Sequence, residues 1–411
     1  MTESRSRPAW ADIDLEAVRH NTELVRRVVA PAALCAVVKA DAYGHGAAAV
    51  ARAALDAGAA GLAVAHVEEG VELRKAEIEG PILLLAEPPV GTGETVVAHR
   101  LTPTLADPAR VAEIGDAARL LGTRHQVHVK VDTGMHRLGA APDDVLAVAK
   151  AIVADPALVL EGVWTHLAVA DGASVEDRVF TTGQLAAFDE VLDHLAAQGL
   201  RPPVRHAANS GGAIAWPEAR YTMVRCGIAL YGYHPTPAVA EAFAAAVPGE
   251  ALRPVMSLRA CVTAVRVLDA GVRPSYGRRR PLAERSVVAT VPLGYADGVP
   301  RAMLDAGMEV LIGGRRRPLA GTVTMDQLMV DCGPAADVGV GDEVVLLGRQ
   351  GAEEITADEW AARLGTISYE VLCGIGPRVA RTTGAPTAAR WRSGLGPHLE
   401  RRAEENGNAG S

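Results

Sequence analysis

The residues best suited to chemistry lie between positions 38 and 46, where the sequence reads VKADAYGHG. The apolar run 34–38 before them is long enough for a buried strand and too short for a helix, so Lys39 is predicted to stand where a strand ends. Two glycines flank His45 and leave backbone N–H groups open to an anion, and Tyr43 adds a phenol close by. An amine beside an anion site can act as a covalent catalyst, but a lysine at a strand end can equally extend into solvent.

Other polar side chains are predicted at the ends of later strands of the same half of the chain. Arg137 follows the fifth predicted strand, His166 ends the sixth, Asn209 and Ser210 follow the seventh, and Arg225 lies within the eighth. Guanidinium, imidazole, hydroxyl and amide groups gathered at one edge of a sheet suit a dianionic phosphate and a carboxylate.

Apolar runs alternate with alanine-rich helical segments through this half, as in a (β/α)₈ barrel. The predicted strands are 34–39, 61–65, 82–85, 101–105, 126–132, 159–166, 204–208 and 223–226. The fold predicted is therefore α/β, with an N-terminal TIM-type barrel over residues 11–247.

Beyond residue 248 the pattern becomes that of a mostly antiparallel β domain, predicted to extend to residue 384. The strands predicted there are 261–268, 286–291, 310–312, 327–331 and 343–347, with one short helix over 357–364. Residues 385–411 are rich in glycine, serine and charge, and we expect them to be disordered.

Composition narrows the classes of protein that fit. The 411 residues carry a net charge of −8, which argues against a nucleic-acid surface. The five cysteines are scattered without a C-x-x-C pair, so neither a metal site nor a disulfide set is predicted. We find no signal segment and no run of about eighteen apolar residues, and we therefore expect a cytoplasmic enzyme without a membrane span.

The segment 38–46 resembles, residue for residue, the pyridoxal-phosphate lysine segment of the alanine racemase family. Further segments are similar to family segments and occur in the family's order: 131–139 (VDTGMHRLG), 165–168 (THLA), Asn209-Ser210, 225–232 (RCGIALYG), 274–278 (PSYGR), 292–298 (PLGYADG) and 324–327 (TMDQ). The resemblance extends from about residue 10 to residue 381.

This resemblance implies a pyridoxal 5′-phosphate enzyme that interconverts L-alanine and D-alanine with two bases and so supplies D-alanine for peptidoglycan. Lys39 would bind the cofactor covalently and serve one face of the α-carbon, and Tyr276 would serve the other. The resemblance assigns His166 and Asn209 to the cofactor site and Arg225 to the pyridine nitrogen. It assigns the phosphate to Tyr43, Ser210, Gly227, Ile228 and Tyr369.

For the substrate, the resemblance points to Arg137 and Met325 at the carboxylate, and to Tyr295 and Asp326 in the entrance segments. Lys130 resembles a lysine that is often carbamylated in the family. The resemblance also implies a head-to-tail homodimer whose sites take Lys39 from one chain and Tyr276 from the other.

Two alternatives use the same scaffold: a broader racemase that acts on serine or larger amino acids, and a basic amino-acid decarboxylase. An arginine at position 225, where decarboxylases have an acidic partner of the ring nitrogen, argues against the second. A small cofactor-carrying protein made of the barrel alone is a third alternative, which the β domain argues against.

Overall fold

The computed structural model describes residues 7–384. The strands are β1 (Ala9–Ile13), β2 (Ala33–Val37), β3 (Gly61–Val64), β4 (Ile82–Leu84), β5 (Thr104–Leu105), β6 (His125–Lys130), β7 (Leu158–Trp164), β8 (Val204–His206), β9 (Met223–Cys226), β10 (Met256–Cys261), β11 (Ala264–Leu268), β12 (Ser286–Val291), β13 (Glu309–Ile312), β14 (Arg315–Pro318), β15 (Leu328–Gly333), β16 (Glu343–Gln350), β17 (Glu353–Ile355) and β18 (Ala380–Thr382). The helices are α1 (Leu15–Val29), α2 (Lys39–Gly44), α3 (Ala47–Asp56), α4 (Val67–Lys75), α5 (Gly93–Ala98), α6 (Pro108–Leu120), α7 (Val145–Ala154), α8 (Val175–Ala197), α9 (Ser210–Ala215), α10 (Pro237–Ala246), α11 (Ala357–Leu364) and α12 (Ser368–Cys373).

The chain divides into two compact units. One unit is Leu15–Arg253, and the other joins the residues up to Asp14 to those from Pro254 onward. The domain limits predicted from sequence, 11–247 and 248–384, stay predictions, and the predicted tail 385–411 lies outside the described residues.

In the first unit, strands β2 to β9 form two four-stranded parallel ladders, in the orders β4–β3–β2–β9 and β5–β6–β7–β8. Backbone hydrogen bonds join the ladders at both edges: the Leu84 N–H donates to the Thr102 oxygen at 2.9 Å, and the Arg225 N–H donates to the Ala208 oxygen at 3.0 Å. The parallel strands therefore close into a barrel with helices between successive strands, and the predicted (β/α)₈ fold is confirmed.

Local sequence explains where the barrel helices begin. Before α8, the hydroxyl of Ser174 accepts from the Asp177 N–H, and the Asp177 carboxylate accepts from the Ser174 N–H, which is a reciprocal capping box. Asp107 caps α6, and Pro108 occupies its first turn, where no amide hydrogen is needed. These signals fix the helix starts, and with them the lengths of the loops at the carboxyl ends of the strands.

Seven of the eight predicted barrel strands are shorter in the structure than predicted, most of them at the carboxyl end. The segment 101–105 contributes only Thr104 and Leu105 to the ladder, with one isolated bridge at Thr102. Strand β7 ends at Trp164, so His166 lies two residues beyond the strand.

The second unit is built mostly from antiparallel strands, which confirms the predicted class of the C-terminal half. One sheet has the order β14–β13–β16–β10–β1–β18 with β17 paired to β16, and another has the order β11–β12–β15. The single predicted strand 261–268 is wrong. The Val262 N–H donates to the backbone oxygen of Asp342, whereas the next N–H, that of Thr263, donates to the backbone oxygen of Thr290. The run therefore divides into β10 and β11, which belong to different sheets.

The sequence analysis also missed β1, which pairs antiparallel with β10 and parallel with β18. It missed α12 as well, because six residues are too few to show a helical period. Within residues 7–384, no helix has the length and apolar character needed to cross a membrane.

Candidate active site

Lys39 stands at the carboxyl end of β2 and opens a left-handed turn. The next four residues, Ala40 to Tyr43, have φ between 51° and 54° and ψ between 38° and 52°. This region costs about 1–2 kcal/mol for each residue that carries a Cβ. Four such residues in succession must be held by their surroundings, as is common where a side chain is fixed for function.

Hydrogen bonds and ring contacts hold this turn. The Ala40 N–H donates to Glu69 at 2.6 Å, and the carboxylate of Asp41 accepts from the Ala47 N–H at 2.7 Å. The ring of Tyr231 packs against those of Tyr43 and His45, with centroid distances of 4.7 and 4.6 Å. The turn therefore fixes both the lysine at its start and the phenol of Tyr43 at its end.

Tyr43 lies against Gly227, at the carboxyl end of β9. A Cβ placed on Gly227 would lie 2.2 Å from the Tyr43 hydroxyl oxygen, so any larger residue would push the phenol out of this position. The Gly227 N–H donates to the Ser210 hydroxyl oxygen at 3.0 Å. Ser210 thus keeps its own hydroxyl proton, and the buried Ile228 follows Gly227 directly. These groups form a small polar recess of hydroxyl and amide donors.

Asn209 has a structural task beside this recess. Its side-chain oxygen accepts from the Gly212 N–H at 3.0 Å and so caps α9, and its amide donates to the Leu167 oxygen at 3.4 Å. The placement of Ser210 at the start of α9 depends on that cap.

Arg225 is the buried centre of the barrel unit. Its Nη2 group donates to the backbone oxygens of Thr165 and Ala207, each at 2.9 Å, and faces Nδ1 of His166 at 3.2 Å. The guanidinium carbon lies 4.4 Å from the ring centroid of Trp164. Burial lowers the pKa of Arg225 to about 10, which still leaves it charged at neutral pH.

Other cations surround this guanidinium. Burial, with the charges of Arg225 and Arg137, lowers the pKa of Lys130 to about 8. Burial and the charge of Arg225 also hold the pKa of His166 well below its ordinary value, so its imidazole is neutral. Lys39 contributes to both shifts. The structure therefore brings Lys39, Lys130, Arg137, His166 and Arg225 into one field of positive potential, which suits a phosphate and a carboxylate.

In the β unit, Tyr276 lies in a turn whose backbone is tightly constrained. Ser275 has φ of 70°, and its hydroxyl donates to the Thr322 oxygen at 2.5 Å. The Thr322 hydroxyl in turn donates to the backbone carbonyl oxygen of Tyr276 at 2.9 Å. The side chain of Tyr276 is 70 % exposed, so the phenol projects from a rigid turn.

The predicted entrance residues Tyr295 and Met325 come together in the same unit. The Tyr295 N–H donates to the Thr324 oxygen at 3.0 Å, and the Ala296 N–H donates to the Met325 oxygen at 3.1 Å. Asp326 forms an ion pair with Arg378 at 2.7 Å. Tyr369 lies half-buried in α12, and its predicted contact with the phosphate stays a prediction.

Sequence reasoning missed three residues that position this site: Glu69, Trp164 and His206. His206 is fully buried, and its Nδ1 lies 2.7 Å from Nη1 of Arg225. The sequence carried no signal for these three, because Glu69 looks like one more charge on a helix, and Trp164 and His206 look like ordinary buried strand residues.

Comparisons with known proteins show which family this sequence belongs to. Residues 13–235 match the family model described as the alanine racemase N-terminal domain, and residues 255–383 match the model of the alanine racemase C-terminal domain. The chain belongs to the alanine racemase family. The two matched ranges of this chain contain Lys39, Arg225 and Tyr276, together with the other predicted site residues.

Individual family members are similar over nearly their full length. The chain is 46 % identical to the alanine racemase of Symbiobacterium thermophilum over 382 residues, which cover 93 % of this chain and 98 % of that protein. The crystal structure of alanine racemase from a D-cycloserine-producing Streptomyces lavendulae matches with a TM-score of 0.84 and 37 % identity, over 94 % of this chain and 99 % of that one. A histidine racemase from Leuconostoc mesenteroides matches with a TM-score of 0.83 but only 26 % identity, over 93 % of this chain and 99 % of that one.

Proposed function

We propose that this chain is a pyridoxal 5′-phosphate-dependent alanine racemase that interconverts L-alanine and D-alanine. One observation carries the proposal beyond family membership: the left-handed turn that fixes Lys39 also places Tyr43 against Gly227, next to Ser210. A reactive amine and a recess of anion donors are thus held by one rigid segment. D-Alanine made in this way would serve peptidoglycan synthesis.

The residues fit the cofactor. Tyr43, Ser210 and the backbone at Ile228 would hold the phosphate. Because Gly227 has no Cβ, the hydroxyl of Tyr43 has room beside it. Since the Gly227 N–H already donates to Ser210, we assign Gly227 the task of orienting the serine hydroxyl, whose proton would turn from the Cys226 thiol to the phosphate. His166 and Arg225 would lie along the pyridine ring.

Bound pyridoxal phosphate withdraws electrons from the α-carbon of an attached amino acid and so makes its α-hydrogen acidic. Arg225 has only N–H donors and stays protonated, so it would donate a hydrogen bond to the ring nitrogen without giving it a proton. This limits the electron withdrawal and favours return of the proton over side reactions such as transamination.

Racemisation needs one group on each face of the α-carbon. The amine of Lys39 would take or return the proton on one face, and the phenol of Tyr276 would do so on the other. An unperturbed tyrosine ionises near pH ~10, so its phenolate needs positive neighbours. Arg137 would supply such a charge, and the neutral His166 would add an N–H at Nε2, because the Arg225 group that faces its Nδ1 at 3.2 Å can only donate.

Arg137 is exposed and is the cation we assign to the substrate carboxylate, with the backbone N–H of Met325 as its second donor. Tyr295 and Asp326 would line the entrance. Because Asp326 is held by Arg378, we assign it to shaping the loop of Met325. A carbamylated Lys130 would be an anion next to Arg137 and would orient it.

Tyr276 and Lys39 lie in different units, and we propose that each site of a homodimer takes them from different chains. The test is complementation between Lys39→Ala and Tyr276→Phe, refolded together. Random pairing makes about half the dimers mixed, each with one intact site, so about a quarter of wild-type activity should return. Activity no higher than that of the separate mutants, in a sample shown to contain mixed dimers, would place both bases on one chain.

The activity itself is tested with a chiral assay of D-alanine formation from L-alanine, with and without added pyridoxal phosphate. L-Serine and L-histidine are run beside it, because a broader or different racemase is the competing function on this scaffold. We expect alanine to have the highest kcat/KM, and a higher value for either competitor would overturn the assignment of substrate.

The role of Lys39 is tested by reduction with borohydride followed by peptide mapping. The cofactor should be fixed to Lys39, and Lys39→Ala should lose both the label and the visible absorbance. A label on Lys75, Lys130 or Lys150 would contradict the assignment.

A further inference from the structure

A line of hydrogen-bonded side chains leaves Arg225 on the side away from His166 and crosses the barrel. Nη1 of Arg225 lies 2.7 Å from Nδ1 of His206, and Nε2 of His206 lies 3.0 Å from Nδ1 of His128. Nε2 of His128 lies 3.2 Å from Oε2 of Glu161. We call these four residues the barrel chain.

The chemistry of its two ends fixes every proton in the barrel chain. Arginine has no acceptor, so Nδ1 of His206 must accept and its proton must be on Nε2. That N–H donates to Nδ1 of His128, whose own proton is then on Nε2 and donates to the carboxylate of Glu161. All the bonds point from the cation to the anion, and no other neutral arrangement satisfies both ends.

The backbone is adapted to this arrangement. In the β6–β7 ladder Val127 pairs with Leu160 and His128 with Gly162, so Glu161 is an extra residue in a β-bulge. A Cβ on Gly162 would lie 2.5 Å from both Cε1 and Nδ1 of His128. The glycine therefore leaves room for the imidazole ring, and the bulge aims the carboxylate at it.

Ring packing holds His206 in place. The rings of His206 and Trp164 stack with centroids 5.5 Å apart and planes 11° from parallel, and the same indole lies under the Arg225 guanidinium. The indole N–H donates to the Thr104 hydroxyl at 3.1 Å, which fixes the indole itself. A half turn of the His206 ring would replace Nδ1 by Cδ2 and Nε2 by Cε1 and would break both of its hydrogen bonds, so the ring keeps this orientation.

The far end of the barrel chain opens into a cavity of about 340 Å³. His128 and Glu161 line it with residues from the starts of neighbouring strands, among them Ala33, Gly61 and Met223. The Glu161 side chain is 27 % exposed, against 4 % for His128, so the carboxylate reaches water while the imidazoles do not.

We propose that His206, His128 and Glu161 are positioning residues that act on the cofactor through Arg225. The carboxylate of Glu161 fixes the proton positions of both imidazoles, and His206 thereby presents an acceptor that holds the guanidinium in the plane it needs. A buried guanidinium that otherwise contacts only neutral groups gains a distant counter-charge without an acid at the pyridine nitrogen. This inference rests on the proposed function for its effect on the reaction.

The first test reads the protons directly and does not depend on activity. Nitrogen-15 NMR of histidine-labelled holoenzyme distinguishes the two neutral forms of imidazole. We expect His206 and His128 to carry their protons on Nε2, with Nδ1 unprotonated. A His206 protonated on Nδ1 in the wild-type protein would overturn the proposal, whether or not the protein racemises alanine.

The second test compares polar and apolar replacements at the same positions. Glutamine can accept on one side and donate on the other, so His128→Gln and Glu161→Gln keep the direction of the bonds, whereas leucine at either position breaks it. We expect His128→Leu and Glu161→Leu to lower kcat about tenfold with little change in KM, and to shift the absorbance of the bound cofactor. His128→Gln should keep most of the activity, and Glu161→Gln, which keeps the direction of the bonds but loses the negative charge, should lie between the wild type and Glu161→Leu.

Met223→Leu is the control, because it changes the cavity wall without touching the barrel chain. Leucine and glutamine variants that behave alike would show a packing effect only and would contradict the proposal. If the leucine variants do not fold, the NMR measurement of the His206 and His128 protons in the wild-type protein still decides the proposal. Wild-type protein that carries both protons on Nε2 but forms no D-alanine would refute the proposed function and leave the barrel chain standing.

Discussion

Glu69 accepts a hydrogen bond from the backbone N–H of Ala40, the residue directly after Lys39, at 2.6 Å. Its other carboxylate oxygen accepts from the N–H groups of Ala65 and His66 at 2.7 and 3.0 Å. One carboxylate thus ties the left-handed turn to the start of α4. A turn that costs energy in every residue needs such a tie, so Glu69 should control both stability and the position of the lysine.

Replacing Glu69 by glutamine should be costly, although the two side chains have the same shape. The carboxylate faces N–H donors on both oxygens, and the amide of glutamine would turn a donor toward one set of them. We expect the free energy of unfolding to fall by about 2 kcal/mol or more, with weaker binding of pyridoxal phosphate. Denaturant unfolding and cofactor titration measure the two effects. Glu68→Gln, at an exposed position of the same helix, is the control, and an equal loss there would refute this role of Glu69.

The left-handed turn makes a second prediction about stability. Ala40 is exposed and has φ of 52°, a conformation that glycine adopts without strain. Ala40→Gly should therefore leave the free energy of unfolding unchanged or raise it by up to about 1 kcal/mol. Ala49→Gly, inside the regular helix α3, should lower it by about 1 kcal/mol. Chemical unfolding of both variants decides, and equal losses would show that the turn is not left-handed in solution.

The fold was predictable because parallel strands and amphipathic helices alternate with a clear period, and strand ends in such a barrel share one edge. Lys39, His166 and Ser210 could be found from that rule, and Arg225 from its place near the end of the eighth strand. The role of Glu69 in holding the left-handed turn could not be predicted, because in the sequence Glu69 looks like one more charged residue on a helix. Likewise β10 and β11 form one apolar run in the sequence, and only the partners of Val262 and Thr263 separate them.

The barrel chain was hidden for a different reason. His206 and Trp164 look like ordinary buried residues of β-branched strands, and their importance comes from ring stacking and proton direction across strands. A bulge adds one residue to one strand, so the side of the sheet that Glu161 faces cannot be read from alternation alone.

Gly227→Ala should disturb the anion recess without disturbing the barrel. The added methyl group would meet the Tyr43 hydroxyl at 2.2 Å, so the phenol has to move away from Ser210. We expect the affinity for pyridoxal phosphate to fall at least about tenfold, because one hydrogen bond to the phosphate would be lost. Equilibrium titration of the cofactor-free protein, followed by absorbance, measures this loss.

The matched control for that substitution is Gly183→Ala. Gly183 lies inside α8, and a Cβ there would meet no atom within 4 Å. The alanine should raise the free energy of unfolding by about 1 kcal/mol and leave cofactor affinity unchanged. A Gly227→Ala protein that binds the cofactor as well as this control would show that Tyr43 and Ser210 do not form the phosphate site.

Lys130 links the stability of the barrel to pH. Burial and the neighbouring charges of Arg225 and Arg137 lower its pKa from 10.5 to about 8, so between these values the unfolded chain binds the proton and the folded chain does not. Stability therefore rises as the pH increases through that window. In CO₂-free buffer, Lys130→Gln should flatten this part of the curve of unfolding free energy against pH. Lys150→Gln, at an exposed position, should leave it unchanged.

The same lowered pKa makes Lys130 a candidate for carbamylation. The neutral amine attacks CO₂, a C–N bond forms, one proton is released, and the product is an anion among Arg225, Arg137 and Lys39. Because the anion replaces a buried cation, added bicarbonate near pH 8 should raise the thermal midpoint of the wild-type protein and not that of Lys130→Gln. Carbon-13-labelled bicarbonate should give one carbamate signal that the variant lacks. A signal that persists in Lys130→Gln and disappears in Lys150→Gln would place the modification on the exposed lysine instead.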